Sequence, residues 1–185
     1  MLVQSTMLPL GSIATNFELL DANSNTLQTY NSLKGKNGTF IIFICNHCPY
    51  VKHIFNKLLD IFNIANQFDI SCIAINSNDA LQYPEDSLEA MKSICQKHNF
   101  TYLYDHLQTV AKNYQAACTP DSFIFDSNNK CVYRGRFDAS TPTNNIPTTG
   151  ADILYALQTL ILNKDVTKIE QTPSIGCNIK WKNQV

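Results

Sequence analysis

Cys45 and Cys48, in Cys45-Asn46-His47-Cys48, stand where a strand pattern gives way to a helix pattern. A helix start exposes unsatisfied N–H groups and the positive end of the helix dipole. Both favour a thiolate over a thiol, so this is a place for a reactive dithiol. Two intervening residues let the pair close a strained, reducible disulfide. On this reading Cys45 attacks, with a pKa of roughly 3.5–7.5, and Cys48 resolves. His47 lies beside them, and an imidazolium there would favour the Cys45 thiolate and raise the reduction potential. The competing use of two cysteines is half of a zinc site. A structural zinc takes four ligands, and the sequence has no second Cys-x-x-Cys.

The elements that must hold these residues follow from periodicity. Residues 39–44, Thr-Phe-Ile-Ile-Phe-Ile, read as a buried strand. Val51, Ile54, Phe55, Leu58, Leu59, Phe62 and Ala65 then recur at helical spacing from Pro49 to about Gln67, and Pro49 suits a first helical turn. Ahead of them, 16–20 and 26–28 flank a turn-rich Asp21-Ala22-Asn23-Ser24-Asn25, which predicts a hairpin. Behind them come a strand over 70–75, a helix opening at Pro84-Glu85-Asp86-Ser87, a short strand over 102–104 and a helix over 106–116. A hairpin over 122–125 and 130–136, a loop over 138–150 and a helix over 151–162 complete the pattern. Residues 1–14 read as an extended lead-in, and 163–185 as an irregular tail. This is an α/β chain with a mixed central sheet. It is expected to form a single domain over 1–185.

A strand ending at Cys-x-x-Cys on a helix start, then Thr119-Pro120 before a hairpin and a last helix, resembles the thioredoxin fold. The N-terminal hairpin and the helix near 84–99 are similar to the redoxin branch. That branch holds alkyl hydroperoxide reductase/thiol-specific antioxidant-like proteins and membrane-tethered thiol-disulfide oxidoreductases. Residues 43–53, 75–79, 83–87 and 173–181 resemble one bacterial subfamily of thioredoxin-family proteins, and the likeness covers nearly the whole chain. The resemblance implies a cis bond at Thr119-Pro120, facing the dithiol, with the Thr119 backbone free to pair with an extended peptide or mixed disulfide. The tryptophan that precedes the motif in thioredoxins is absent, since Phe43 and Ile44 stand there. So is their buried acid: Thr39 occupies its position, which leaves Glu85, Asp79 and His53 as candidates for proton transfer with Cys48.

Five further cysteines are present. Cys118, two residues before Pro120, is read as a small apolar filler or an accessory thiol. Cys177 follows Gly176 in the tail, where packing does not demand a thiol, and is an accessory redox candidate. Cys72 and Cys95 lie on apolar faces, and Cys131 is incidental to a turn. Arg134 and Arg136 alternate along a strand. An arginine on a comparable strand helps activate the attacking thiolate in peroxiredoxins, and Arg136 is kept as an accessory candidate beside the reading of solvated strand charges. The peroxiredoxin pattern Pro-x-x-x-Thr-x-x-Cys is missing, since Ile41 and Ile42 stand where proline or threonine is needed.

The chemistry therefore points first to a thiol-disulfide oxidoreductase, second to a redoxin-type thiol peroxidase, and third to a metal-binding protein using Cys45, Cys48 and His53. No cofactor and no metal is expected. The expected partners are protein or small-molecule disulfides and a thiol reductant. A net charge of −1 with 16% charged residues gives no basic face for nucleic acid. No run has the length of a membrane span, and residues 1–17 lack a signal-peptide pattern. The cytoplasm is the expected compartment, where an odd count of seven cysteines stays mostly reduced.

Overall fold

Residues 39–44 lie at the centre of the molecule because apolar side chains alternate on a strand that is covered on both faces. The computed structural model describes residues 1–183. In chain order its elements are β1 (Leu2–Gln4), β2 (Glu18–Asp21), β3 (Leu27–Thr29), α1 (Tyr30–Leu33), β4 (Gly38–Phe43), α2 (Pro49–Asn66), β5 (Ile70–Asn76), α3 (Leu88–His98) and β6 (Tyr102–Tyr104). Then follow α4 (Thr109–Asn113), β7 (Cys118–Thr119), β8 (Asp121–Asp126), β9 (Cys131–Gly135), α5 (Ala151–Ile161) and β10 (Ile175–Asn178). The main sheet runs β3-β2-β6-β5-β4-β8-β9. β5 is parallel to β4 and to β6, and the other pairs are antiparallel, so the sheet is mixed as expected.

On one face Phe40, Ile42 and Ile44 meet Val51, Ile54, Leu58 and Ile61 of α2 and Ile153 and Leu157 of α5. On the other, Ile41 and Phe43 meet Ile73, Ile75, Phe123, Phe125 and Tyr114. Each such side chain fully removed from water contributes about 1.5–3 kcal/mol. The two-sided burial fixes the end of β4, and with it the start of α2.

Three expectations need correction. The helix over 106–116 shrinks to Thr109–Asn113. Gln108 and Gln115 take left-handed backbone (φ 63° and 53°), which interrupts the helix at both ends. The Gln108 amide also donates to the Ser77 and Lys180 carbonyls, holding it in that position. The helix expected to open at Pro84 begins at Leu88, with Ser87 as its N-cap. The tail is not irregular throughout: β10 pairs with β1 of the extended lead-in and with β7, as a second sheet, β1-β10-β7. Alternation too short to show in three- and four-residue strands hid them. Residues 184 and 185 of the expected tail lie outside the described residues. Gly176 is what allows the β10–β7 approach, because a Cβ there would sit 2.1 Å from the Thr119 carbonyl oxygen.

Candidate functional site

The strand β4 ends at Phe43 and α2 begins at Pro49, leaving Ile44 to Cys48 as a short linker. Cys48, not Cys45, is the N-cap of α2, with extended backbone (φ −64°, ψ 123°) and its carbonyl accepting from Lys52 N–H at 3.0 Å. Of the two cysteines placed at the strand-to-helix junction, Cys48 is therefore the one at the helix start itself. The proline follows the second cysteine, so the helix begins one residue after it, and both thiols are buried, at 1% and 0% exposure.

Each thiol is the strongest influence on the other's pKa. Cys48 is lowered to about 5: the Cys45 hydrogen bond acts most strongly, burial opposes it, and the Thr119 hydroxyl, the Val51 N–H and the Cys177 thiol add to it. The Val51 N–H is one of the unsatisfied donors of the first helical turn. Cys45 is held well above the ordinary thiol range, first by giving its hydrogen to Cys48, then by burial and by the Asp86 carboxylate. The directions of the two shifts favour a thiolate on Cys48 with the proton on Cys45.

Thr119 faces both sulfurs. Its hydroxyl lies 3.4 Å from Cys45 Sγ, and its carbonyl accepts from the protonated Cys48 thiol at 3.2 Å. The Thr119-Pro120 bond is cis. The Thr119 backbone is not an open edge, however. β10 is paired there, with Cys177 opposite Thr119 and Asn178 opposite Cys118.

His47 does not touch a thiol. Its Nδ1 meets Asp86 Oδ2 at 2.6 Å, and its ring stacks on Tyr83 with centroids 5.2 Å apart. Asp86 is fully buried and also accepts from Asn46 N–H and the Asn78 amide, each at 2.7 Å. Asn46 is held further by donating to the Glu85 carbonyl and by accepting from the Tyr102 hydroxyl. Asp86, Asn46, Asn78 and Tyr83 were not singled out as site residues from sequence. The signal was the 83–87 stretch, but nothing in it tells which of Glu85 and Asp86 turns inward. Potential ligand atoms of Cys45, His47 and Asp86 all lie within 4.8 Å of one another.

Two variants should move the dithiol potential in opposite directions. Asp86→Asn removes an anion beside Cys45, favours the reduced, thiolate-bearing form and makes the potential less negative. His47→Ala strips Asp86 of its partner and makes the potential more negative. Shifts of about 30 mV, equivalent to ~1.4 kcal/mol for a two-electron couple, are expected in a glutathione redox titration. Equal potentials in all three proteins would leave the pair without a tuning role.

The remaining candidates are dispersed. His53 Nε2 lies 3.0 Å and 2.9 Å from the hydroxyls of Ser140 and Thr148. That bonding ties it to the 138–150 loop, away from the Cys45–His47–Asp86 group. Asp79 Oδ1 accepts from Leu81 N–H, and Glu85 is exposed, so none of the three proton-transfer candidates bonds to Cys48. Arg136 Nε donates to Asp152 at 2.6 Å, and no hydrogen bond joins Arg136 to either thiol among the described residues. Arg134 binds Gln171 and the Leu8 carbonyl. Cys118 is fully buried, with burial holding its thiol strongly protonated, which suits a filler. Burial likewise pushes up Cys72, Cys95 and Cys131, the latter two to about 12. Cys177 is half-buried and packs against the core cluster that contains Cys45 and Cys48.

Solved structures share this arrangement of elements. An uncharacterised conserved protein from Geobacillus kaustophilus is 48% identical, with 100% of this chain and 98% of that one covered at a TM-score of 0.97. A hypothetical protein from Sinorhizobium meliloti is 40% identical over 98% and 99% of the two chains, at 0.93. At 16% identity, a peroxidoxin, BcpB, from Mycobacterium tuberculosis shares the fold over 83% of this chain and 96% of its own, at 0.62. No curated protein matches. The sequence profile described as Redoxin matches residues 9–153, which take in the dithiol linker, Asp86 and Thr119-Pro120. A thioredoxin-like α/β fold with that profile over most of its length makes this chain a member of the Redoxin family.

Proposed function

We propose that this protein is a thiol-disulfide oxidoreductase whose redox couple is Cys45–Cys48. The observation that carries this is the burial of Cys45 and Cys48 together at the start of α2, with Cys48 as its N-cap and both sulfurs facing Thr119. In the reducing direction the Cys48 thiolate attacks one sulfur of a substrate disulfide and expels the other half. Cys45 then attacks Cys48 Sγ, releases the second half as a thiol and leaves a Cys45–Cys48 disulfide. The substrate gains two electrons and the dithiol loses two; an external thiol restores the dithiol. Oxidation of substrates runs the same steps in reverse. With β10 occupying the Thr119 edge, an extended peptide has no free strand there. A cleft lined by Cys45, Val51, Lys52, Phe55 and Ile94 opens on the Cys45 side of the pair and suits small or protruding disulfides; Cys48 does not line it, so attack by Cys48 requires the pair to open towards that cleft.

Among the described residues no helix is long and apolar enough to cross a membrane; a reducing compartment, the cytoplasm, is the proposed site of action. Arg136 is engaged by Asp152 rather than by a thiol, so a peroxide-activating cation is not supplied from that strand. The test is turnover of a small disulfide, bis(2-hydroxyethyl) disulfide, with glutathione as reductant, beside hydrogen peroxide as the competing oxidant. Catalysed disulfide reduction with peroxide reacting no faster than at an ordinary low-pKa thiol is expected. Faster turnover of peroxide than of the disulfide would make thiol peroxidase the better reading.

A further inference from the structure

Cys48 has a sulfur neighbour on each side. Cys45 lies on the linker before it, and Cys177 lies on β10, in register with Thr119, whose carbonyl accepts from Cys48 at 3.2 Å. Cys177 stands opposite Thr119, whose hydroxyl lies 3.4 Å from Cys45 Sγ, and packs against the core cluster that holds Cys45 and Cys48. Gly176 lets the β10 backbone come this close to Thr119, since any side chain there would collide with the Thr119 carbonyl. β10 thus lies along Thr119 as a substrate strand would, and it presents a cysteine to the attacking sulfur.

We propose that Cys177 is the second exchange partner of Cys48, carrying the disulfide from the buried Cys45–Cys48 pair to a thiol that solvent reaches. This rests on Cys45–Cys48 being the redox couple. In the step, Cys177 sulfur attacks Cys48 Sγ, the Cys45–Cys48 bond breaks and a Cys48–Cys177 bond forms. The proton of Cys177 ends on Cys45, the most strongly protonated thiol of the three. One disulfide is exchanged for another, so no oxidant or reductant is consumed. The chemical reason for such a relay is exposure. Cys45 and Cys48 are 1% and 0% exposed, whereas Cys177 is partly open, so a thiol reductant meets the disulfide at Cys177 more readily than at the buried pair.

The probe is oxidised glutathione, added to reduced Cys45→Ser protein, with free thiols blocked afterwards and peptides mapped without reduction. The expected result is a Cys48–Cys177 disulfide with two equivalents of glutathione released per chain: one when Cys48 attacks, one when Cys177 displaces the second half. In the Cys45→Ser/Cys177→Ser protein the reaction should stop at a Cys48–glutathione mixed disulfide and one equivalent. A lasting mixed disulfide in the single variant, with Cys177 free, overturns the relay but leaves Cys48 as a working nucleophile. The wild-type chain supplies a measurement independent of variant folding. Acid-quenched samples of the oxidised protein should contain both Cys45–Cys48 and Cys48–Cys177 disulfides. Cys45–Cys48 alone, with Cys177 fully free at every time, also overturns the relay. Failure of the wild-type protein to form any disulfide at Cys48 overturns the redox couple and the relay together.

Discussion

The Cys48→Ser protein is expected to lose catalysed disulfide exchange down to the uncatalysed background, and the wild-type pH profile should show why. Cys48 is lowered to about 5, chiefly by the hydrogen bond from Cys45. Its alkylation by iodoacetamide should therefore rise through about pH 5 and level off above it, whereas an ordinary cysteine titrates near ~8.5. At pH 6 the two differ by about 300-fold in thiolate fraction. The lower basicity of the sulfur returns part of that, because nucleophilicity falls with a Brønsted slope of about 0.4–0.5, leaving a net gain of about one order of magnitude. Cys45→Ser should raise the midpoint of Cys48, because a hydroxyl is a poorer match for the donor that now holds the thiolate. Peptide mapping after labelling at pH 6 identifies the modified residue. Preferential labelling of Cys45, or a midpoint near 8.5, would return the nucleophile to Cys45.

The second large effect lies behind the site. Asp121 opens β8 directly after Pro120 and is fully buried; one oxygen accepts from Ala117 N–H, and the other has no hydrogen-bond partner among the described residues. Burial raises its pKa from 3.8 to about 7, with the Ala117 N–H and the Ser5 and Ser174 hydroxyls pulling partly back. A carboxyl raised on folding favours the folded chain in its protonated form. That contribution is fully present below about pH 4 and is lost as pH rises through about 7. At 1.36 kcal/mol per pKa unit, the span is on the order of 4 kcal/mol. Asp121→Asn keeps an acceptor for Ala117 and never ionises. It should match the wild type at pH 4 and be more stable by a few kcal/mol at pH 8, read as a higher urea midpoint with an unchanged slope. A stability difference that does not change between the two pH values would mean that Asp121 is not the buried titrating group.

Much of the architecture was legible in the chain because it rests on short-range pattern. A strand covered on both faces needs a continuous apolar run, and Thr39 to Ile44 supplies one. An amphipathic helix needs its apolar residues three and four apart, and α2 has them from Val51 to Ala65. The N-terminal hairpin and the mixed sheet followed in the same way, and Cys45 and Cys48 could be placed between strand and helix. What pattern does not encode is which groups meet across the fold. The Cys48 thiol is lowered first by Cys45 and then by Thr119, Val51 and Cys177, which converge there from separate elements. The Asp86 hub draws on residues 40 positions from the linker, through hydrogen bonds that leave no periodic trace. β10 is four residues long, and Gly176 reads as a turn until the Thr119 carbonyl is seen 2.1 Å from where its Cβ would be. Local sequence determined the elements and the dithiol, because periodicity and composition act within a few residues. Tertiary structure decided which groups surround each sulfur, what charges lie near the pair and which third cysteine lies opposite Thr119, because electrostatics and hydrogen bonding depend on distance in space.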